Sequence, residues 1–334
     1  MRSFTRNIGK VKSYDNLAPL GSTTVKRILV VRPNNRLGNL LLITPLLQEI
    51  EATFPGCKTD VFVRGFLAPI LFENYSSVDG IIQLPKKPFK DLLKYLAGWA
   101  KIKNRKYDIA INVVHSSSSG RLSVQFARAT YKFYGDTVSA SINDKENPEH
   151  IAKHPVYNFR EFVSKLGIKP NNGPVPLLDL KLTSTELVKG KNTLQELVKN
   201  DKKTICIFTF ATGAKCHPPE WWEPFYAQLK EQNPDYNIVE VLPAENVSQI
   251  NFKAPSFYSK DVRQIGAFMA NTAIFIGADS GIMHLASAAL VPTVGLFNGN
   301  NVNIYKPYGN GSIAVNTRET SAESCVDIVK KVLS

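Results

Sequence analysis

The 334-residue sequence has few cysteines and no long hydrophobic segment. Its four cysteines (Cys57, Cys206, Cys216 and Cys325) lack the spacing of a disulfide framework or a zinc site, which favours reduced thiols in the cytoplasm. No apolar run approaches the about eighteen residues that a membrane span needs. The basic N-terminus also lacks the continuous apolar core of a secretory signal. We therefore expect a cytoplasmic protein with two domains of ordinary size.

Two ligand-binding patterns are also absent from the sequence. No Asp-x-Asp occurs, so we expect no carboxylate-bound metal ion and predict no metal ligands. No G-x-G-x-x-G follows the first predicted strand, where Gly38 stands alone. This argues against a nucleotide-dependent oxidoreductase or epimerase on a Rossmann fold.

Positive charge is in excess, with 41 basic against 28 acidic residues and a net charge of +13. Residues 86–106 contain eight Lys or Arg and one acid, Asp91, with leucines and aromatic residues interleaved at helical spacing. Such a helix suits an anionic membrane surface or a phosphorylated acceptor, although a solvated helix with a packed apolar stripe has the same pattern. Nucleic acid is not expected as a partner, because no recognition motif accompanies the charge.

Strands and helices alternate from residue 26 onward, after a polar and basic stretch, residues 1–25, that we interpret as an N-terminal arm. The pattern predicts strand 27–31, helix 40–54, strand 59–64, helix 68–75, strand 80–84, helix 89–103, strand 108–114 and helix 121–129. This alternation is typical of βαβ units and predicts an α/β fold with a parallel, doubly wound sheet.

A segment rich in Pro, Gly and Asn, residues 167–180, is the best candidate for a linker between two domains, residues 26–166 and 181–334. The second domain is predicted to contain helix 184–200, strand 204–210, helix 220–232, strand 237–242, helix 262–270, strand 273–276, helix 282–290, strand 293–297 and helix 321–333. Two such domains would enclose a cleft at the carboxyl ends of their strands.

The stretch from Ile274 to Phe297 is the most informative part of the chain. It predicts a buried strand, a corner at Asp279–Gly281, a helix that carries His284, and a second strand. Such a corner directs backbone N–H groups and the positive end of a helix at one point, where phosphates bind. Asp279 could cap the helix or bind a hydroxyl. The corner is therefore a candidate diphosphate site.

Two other loops follow predicted strands. In residues 32–47, Gly38 permits a tight strand-to-helix turn. In residues 209–222, Lys215 could neutralise a phosphate leaving group and Thr209 or Thr212 could donate to it, before a helix begins at Pro218-Pro219. Taken singly, each loop also fits an ordinary connection with a solvated lysine.

Together the three loops resemble glycosyltransferase family 9, the heptosyltransferases of lipopolysaccharide core assembly. The resemblance rests on D-S-G-I-M-H-L-A (279–286) with P-T-V-G-L-F (292–297), on R-L-G-N-L-L-L-I-T-P (36–45) and on G-A-K-C-H-P-P-E-W-W (213–222). It covers about residues 26–315 in the same order. It implies a GT-B architecture of two facing Rossmann-like domains.

The resemblance further implies inverting transfer of heptose from ADP-heptose to a lipopolysaccharide core acceptor. The N-terminal domain would bind the acceptor and the C-terminal domain the donor, with no cofactor beyond the nucleotide sugar, at the cytoplasmic face of the inner membrane. The implied donor-binding residues are Thr212, Lys215, Glu245, Asp279, Ser280, Gly281, Met283 and His284. The implied acceptor-binding residues are Arg36, Gly38, Asn39 and His115, and the implied catalytic residues are Asn39, His115 and Lys215.

One position departs from the family pattern. The family usually has Gly-Asp in the first loop, with the Asp as general base, whereas this sequence has Gly38-Asn39. An amide cannot accept a proton at physiological pH. Another group could substitute, His115 being the best candidate, although His115 also suits a structural or acceptor-binding role. Otherwise the transition state needs little base assistance, or the protein is a catalytically weak or inactive nucleotide-sugar- or glycan-binding homologue.

Overall fold

The computed structural model describes residues 19–21, 24–87, 90–135, 150–299 and 302–333, so most of the predicted N-terminal arm lies outside the described residues. The chain divides into two compact units, Met1–Pro176 and Leu177–Ser334. This division falls inside the segment 167–180 that the sequence predicts as a linker. All four cysteines are free thiols. Among the described helices, none has both the length and the hydropathy needed to cross a bilayer.

The N-terminal unit contains a five-stranded parallel sheet in the order β3-β2-β1-β4-β5. The strands are β1 (Arg27–Arg32), β2 (Lys58–Arg64), β3 (Val78–Leu84), β4 (Tyr107–Asn112) and β5 (Ala129–Phe133). Strand β1 is a continuous apolar run from Ile28 to Val31, and all four side chains are fully buried because helices cover both faces of the sheet.

Six α-helices accompany this sheet in the described part of the unit, and the first departs from the sequence prediction. They are α1 (Leu37–Leu41), α2 (Thr44–Thr53), α3 (Ala68–Leu71), α4 (Leu92–Asn104), α5 (Ser118–Phe126) and α6 (His154–Lys165). The single helix predicted over 40–54 is two helices, because Pro45 has no N–H to donate to the carbonyl of Leu41. The Thr44 hydroxyl donates to that carbonyl instead, at 2.8 Å.

Other boundaries in this unit also differ from the prediction. Helix α5 begins in the serine-rich turn at Ser118, because the Ser117 hydroxyl caps it by accepting from the Gly120 amide at 3.1 Å. The helix predicted over 121–129 is therefore wrong at both ends, and Ala129 begins β5. Helix α6 was absent from the prediction; Pro155 in its first turn marks its start.

The C-terminal unit contains a six-stranded parallel sheet in the order β11-β10-β9-β6-β7-β8. The strands are β6 (Thr204–Phe208), β7 (Asn237–Val241), β8 (Ser256–Phe257), β9 (Ile274–Ala278), β10 (Thr293–Phe297) and β11 (Ile313–Asn316). Strands β8 and β11 are missing from the prediction, since each has four residues or fewer and lies at an edge.

The helices of this unit are α7 (Ser184–Val198), α8 (Pro219–Gln232), α9 (Val262–Met269), α10 (Gly281–Ala288), α11 (Val302–Tyr305) and α12 (Ala322–Leu333). Helix α8 contributes Trp222 and Phe225, both fully buried, to a core that also contains Val326 of α12. Thr183 and Glu186 form a capping box at the start of α7. Of the α-helices described here for this unit, α11 alone is missing from the sequence prediction.

The strand orders create a topological switch point in each unit. In the N-terminal unit, β1 pairs with β2 on one side and with β4 on the other, so the chain reverses direction across the sheet between β1 and β4. In the C-terminal unit the same reversal lies between β6 and β9. Loops after the two strands at a switch point diverge and leave a crevice, where α/β proteins bind ligands.

Candidate active site

The loop after β6 is held in a defined conformation around Lys215. Gly213, with a φ of 64°, begins the short 3-10 turn Gly213–Lys215, as the tight turn at this glycine requires. The Asn298 side chain, which follows β10, donates to the carbonyl of Ala214 at 2.6 Å. The Lys215 ammonium is thereby carried over the carboxyl edge of the sheet.

Contacts of His217 hold the other end of this loop in position. Its Nε2 lies 2.7 Å from the Thr317 hydroxyl, which follows β11, and its ring centroid lies 4.5 Å from that of Trp221. Burial lowers the pKa of His217 to about 4, so the ring is neutral at physiological pH. His217 is thus a structural residue that supports Lys215.

The corner after β9 has the predicted strand–turn–helix form, with one change in capping. The Ser280 hydroxyl, and not Asp279, caps α10 by accepting from the Met283 amide at 3.2 Å. The first amides of an α-helix have no partner within the helix. Because Ser280 already engages the Met283 amide, the amides of Gly281 and Ile282 are the ones placed to face an anion.

Asp279 instead forms an ion pair with Lys215. The Asp279 side chain is 11% exposed and that of Lys215 is 51% exposed, so the pair lies at the mouth of the crevice with the lysine outermost. The two loops join here because β6 and β9 are neighbours in the sheet. The structure therefore brings together Lys215, Asp279 and the start of α10, which sequence patterns place 64 residues apart.

Two rings complete this cluster. His284, in the first turns of α10, is buried, and burial lowers its pKa to about 4, with Asp279 opposing the shift and Lys215 adding to it. The ring centroid of Tyr305 lies 6.5 Å from that of His284 and 5.6 Å from the Lys215 ammonium nitrogen. His284 is therefore a neutral ring beside the charged pair.

The remaining predicted donor residues separate into exposed and buried groups. Thr212 is exposed at the start of the Lys215 turn, and Glu245 is exposed in the loop after β7. Within the residues described, no hydrogen bond or ion pair joins Glu245 to the Lys215 cluster. Thr209, by contrast, is 1% exposed and donates to the carboxylate of Glu240 at 2.5 Å. The prediction of Thr209 as a phosphate contact is therefore wrong, because its hydroxyl points into the protein.

The N-terminal unit presents a different set of groups at its switch point. Asn39 lies in α1, where its side-chain oxygen accepts from Arg32 at 2.8 Å and its amide nitrogen donates to Asn34 at 3.2 Å. The Asn34 side chain also accepts from the backbone of Arg36, at 2.9 Å. Both ends of the Asn39 amide are thus engaged by the loop after β1.

The expectation for Gly38 needs correction. The residue is buried within α1, and its φ is not positive, so no tight turn depends on its conformational freedom. Arg36, immediately before α1, is exposed. Gly38 therefore supports helix packing and lies behind the side chains that a ligand would contact.

His115 lies just beyond β4, at the other side of the same switch point. It is exposed, and it lines a cavity of about 240 Å³ together with Arg32, His154 and Asn158. Asn158 is 9% exposed, and its side-chain oxygen has no hydrogen-bond partner among the residues described. The cavity thus combines cationic, imidazole and amide groups suited to hydroxyl and acidic groups of a glycan.

Sequence reasoning missed several residues of these two clusters. His154 and Asn158 belong to α6, which carries no motif, and only the fold brings them to the end of β4. Tyr305 and Asn298 follow β10, so their position after a strand is a signal that could have identified them. Arg32 is the last residue of β1 and could have been found in the same way.

Comparison with known proteins agrees with this geometry. The sequence profile described as "Glycosyltransferase family 9 (heptosyltransferase)" matches residues 96–333. The chain belongs to glycosyltransferase family 9. It is therefore an enzyme that catalyses heptosyltransferase-like glycosyl transfer, and its two parallel-sheet units form the GT-B fold.

Individual members of the family are distant in sequence. Lipooligosaccharide heptosyltransferase 2 of Haemophilus influenzae is 24% identical over 303 residues, which are 81% of this chain and 82% of that protein. The crystal structure of a family 9 glycosyl transferase from Veillonella parvula has a TM-score of 0.75 at 16% identity, and the match covers 93% of this chain and 97% of that one. The E. coli heptosyltransferase WaaC with ADP-2-deoxy-2-fluoro heptose has a TM-score of 0.66 at 16% identity, covering 91% and 99%.

Proposed function

We propose that this glycosyltransferase transfers heptose from ADP-heptose to a lipopolysaccharide or lipooligosaccharide core acceptor, with inversion and without a metal ion. The observation that carries the proposal is the Lys215–Asp279 pair at the N-terminus of α10, where the loops after β6 and β9 meet. The E. coli relative of similar fold contains an ADP-heptose analogue, and the H. influenzae relative is a lipooligosaccharide heptosyltransferase; both support this choice of substrates.

The C-terminal cluster is suited to stabilise the negative charge that develops on the departing ADP. As the acceptor oxygen bonds to the anomeric carbon from one face, the bond to the β-phosphate oxygen breaks on the other. The electron pair stays on the phosphate. The Lys215 ammonium and the amides of Gly281 and Ile282 would stabilise that charge, so no metal ion is needed for it.

The ion pair suggests how donor binding proceeds. A bound diphosphate would compete with Asp279 for the Lys215 ammonium, because both partners are anionic oxygens. Asp279 would then be free to accept a hydrogen bond from a hydroxyl of the ribose or the sugar. Thr212, in the loop after β6, and Glu245, in the loop after β7, are both exposed and are proposed as further donor contacts.

The acceptor is assigned to the cavity of the N-terminal unit. Asn39 and Arg32 would position the acceptor, and His115 would take its proton, since an imidazole ring nitrogen has a lone pair that can accept a proton whereas an amide does not act as a base. The oxygen of Asn158 would accept from a second acceptor hydroxyl. Inversion follows if attack and departure occur on opposite faces of the sugar in one step.

A second candidate function rests on the Asn39 geometry. An amide accepts no proton at physiological pH, and both ends of the Asn39 amide are hydrogen-bonded within the loop, so Asn39 itself supplies no base. A protein that binds the nucleotide sugar or a glycan with weak or no turnover would have the same C-terminal cluster. Such a protein would bind ADP-heptose in calorimetry but would neither hydrolyse it nor transfer heptose to any core acceptor.

The deciding experiment combines binding and turnover. ADP should bind more tightly than UDP, GDP or CMP in calorimetry, and the purified enzyme should transfer heptose to a heptose-deficient core acceptor. The product anomer, measured by NMR, should be opposite to that of the donor.

A rate abolished by EDTA and restored by Mg²⁺ or Mn²⁺ would contradict the metal-independent mechanism. A soaked crystal with ADP distant from Lys215 and from residues 280–284 would refute the assigned site.

A further inference from the structure

Helix α4 in the N-terminal unit has two apolar faces, and the described residues of the unit pack against only one of them. Tyr95, Trp99 and Ile102, at spacings of three and four residues, pack against the core of this unit. Leu92, Leu93 and Leu96 are 54%, 83% and 54% exposed. A surface helix that only needed to pack on the sheet would carry polar side chains at those positions.

The uncovered face continues onto the next helix. The Phe126 side chain of α5 is 43% exposed, and its ring centroid lies 5.6 Å from that of Trp99. A surface depression of about 370 Å³ lies between the two helices and is lined by Trp99, Leu122 and Phe126. The exposed leucines and Phe126 are called the α4 surface below.

Positive charge surrounds the α4 surface. Lys103 lies on the apolar side, with its ammonium nitrogen 5.3 Å from the centroid of the Phe126 ring. On a helical projection, Lys94 and Lys101 flank the leucines on the opposite side. Asp91, the one acid between residues 80 and 107, caps the helix and pairs with Lys94 at 3.1 Å. Further exposed lysines precede the helix: Lys86, Lys87 and Lys90.

The first turns of α4 lie at the same end of the N-terminal sheet as the loops that form the proposed acceptor cavity. Helix α4 follows β3, so its first turns, with Leu92 and Leu93, lie toward the carboxyl edge of the sheet. Asn39 and His115 follow β1 and β4 at that same edge, because all strands of this sheet are parallel. A membrane that contacts Leu92 and Leu93 would therefore lie toward the edge of the sheet that carries Asn39 and His115.

We propose that the α4 surface docks on an anionic lipid bilayer, with the leucines and Phe126 inserted into the interface and the lysines over the headgroups. Exposed leucines surrounded by lysines complement a surface that is apolar inside and negatively charged at its boundary. Flexible lysine stems can extend beside an inserted apolar stripe, keeping their ammonium groups at the headgroup level.

Flotation with lipid vesicles tests the apolar part of the proposal. The protein should float with vesicles of phosphatidylcholine and phosphatidylglycerol at 70:30 and bind far less to phosphatidylcholine alone. The double variant Leu93→Gln/Leu96→Gln should bind the mixed vesicles at least about tenfold more weakly, since two partly inserted leucines are lost. Glutamine keeps helix propensity, and Val188→Gln on α7, a residue 57% exposed, is the matched control that should bind as the wild type does.

Substitution of lysines tests the electrostatic part. Lys101→Gln/Lys103→Gln should weaken binding to the mixed vesicles about 25-fold at low salt, at about fivefold for each lysine near the surface. The difference should shrink as salt is raised. Lys189→Gln/Lys191→Gln, an equally spaced exposed pair on α7, should leave binding unchanged.

The outcomes separate this proposal from the proposed function. Wild-type binding by Leu93→Gln/Leu96→Gln, or equal binding to neutral and anionic vesicles, would overturn the membrane proposal. Sedimentation that shows a wild-type dimer dissociated by the same variant, without vesicle binding, would overturn it in favour of a second copy of the chain. ADP affinity should be unchanged in every α4 variant, so failure of flotation leaves the assignment of the nucleotide site untouched.

Discussion

The first five strands of the two units have the same order in their sheets, but the units carry different chemistry at the switch point. In each, the first strand is central, the next two strands lie on one side, and the fourth strand pairs with the opposite edge. The loops after the first and fourth strands therefore meet in both units. In the C-terminal unit they bring together Lys215 and Asp279, whereas in the N-terminal unit they bring together Arg32, Asn39 and His115.

The helices that begin at these loops explain part of the difference. Helix α10 starts at once after β9 and is capped by Ser280, so its first amides are presented at the crevice. Helix α1 has five residues, no side-chain cap and a break before Pro45. A short, interrupted helix has little dipole to offer an anion. The shared topology thus supplies a diphosphate site in one unit and a hydrogen-bonding cavity in the other.

The largest effect is expected at the cationic centre of the C-terminal unit. Lys215→Ala should lower kcat about 10³-fold and weaken ADP binding, because it removes the cation that faces the leaving group. Lys215→Arg should retain part of the activity. Lys253→Ala, which removes an exposed ammonium paired with Glu223 at 2.9 Å, is the matched control. Unchanged turnover in Lys215→Ala would contradict the proposal that the switch point of the C-terminal unit stabilises the leaving group.

The second effect concerns the base in the N-terminal unit. His115→Ala should lower kcat about 100-fold, because no general base would remain to accept the proton of the acceptor hydroxyl. Asn39→Asp should change turnover less than about threefold, since the base is already present and Arg32 would pair with the new carboxylate. Steady-state kinetics at saturating donor measure both.

A reversed result would move the base assignment. Increased turnover in Asn39→Asp together with normal activity in His115→Ala would show that the loop after β1 lacks a base that the reaction needs. A large loss of turnover in His154→Ala, with none in His115→Ala, would assign the role of general base to His154, which lines the same cavity.

The third effect contrasts with the exposed His115, because it comes from the two buried histidines of the C-terminal unit. Burial lowers the pKa of His217 and His284 from 6.5 to about 4, so the unfolded chain binds more protons than the folded one between these values. Stability should therefore fall as pH falls through this window, by about 1.5 kcal/mol for each histidine between pH 6.5 and pH 5.

Urea denaturation at several pH values measures this slope. His284→Asn should reduce the slope of the free energy of unfolding against pH, because one of the two contributing histidines is removed. Ser287→Ala on the same helix alters no titratable group and should leave this slope unchanged. A slope that is the same in the wild type and in His284→Asn would show that His284 is not buried in its neutral form.

The smallest effect concerns the support behind the Lys215 loop. Thr209→Val should lower the free energy of unfolding by about 1.5 kcal/mol, because the hydroxyl donates to Glu240 and accepts from the Gln249 amide at 3.0 Å. Burial raises the pKa of Glu240, and the lost hydrogen bond should raise it further. Thr212→Val, three residues away and exposed, should leave stability unchanged. Equal stability of both variants would contradict the stabilising role of the buried Thr209 hydroxyl.

The sequence predicted most strands because parallel strands are buried on both faces and are therefore apolar runs, as in β1 and β9. It failed where a local hydrogen bond decided the structure. Pro45 broke a helix that apolar periodicity made continuous, and Ser117 began α5 three residues before the pattern indicated. Short edge strands such as β8 carry too little pattern to be recognised.

The candidate site shows the same division. Lys215, Asp279 and His284 could be named from loops after strands, because anion sites at helix starts have a recognisable residue pattern. The inward hydroxyl of Thr209 and the presence of His154 in the acceptor cavity depend on partners distant in the chain. No local pattern records such partners.

The sequence by itself determined the alternation of strands and helices, the three strand-end loops and the membership in a glycosyltransferase family, because each depends on residues close together in the chain. Only the tertiary structure decided that Lys215 pairs with Asp279, that the Thr209 hydroxyl donates to Glu240, and that the leucines of α4 are exposed. The physical reason is that ion pairing, hydrogen bonding and burial depend on which elements lie side by side, and parallel β-sheets bring together segments that are far apart in sequence.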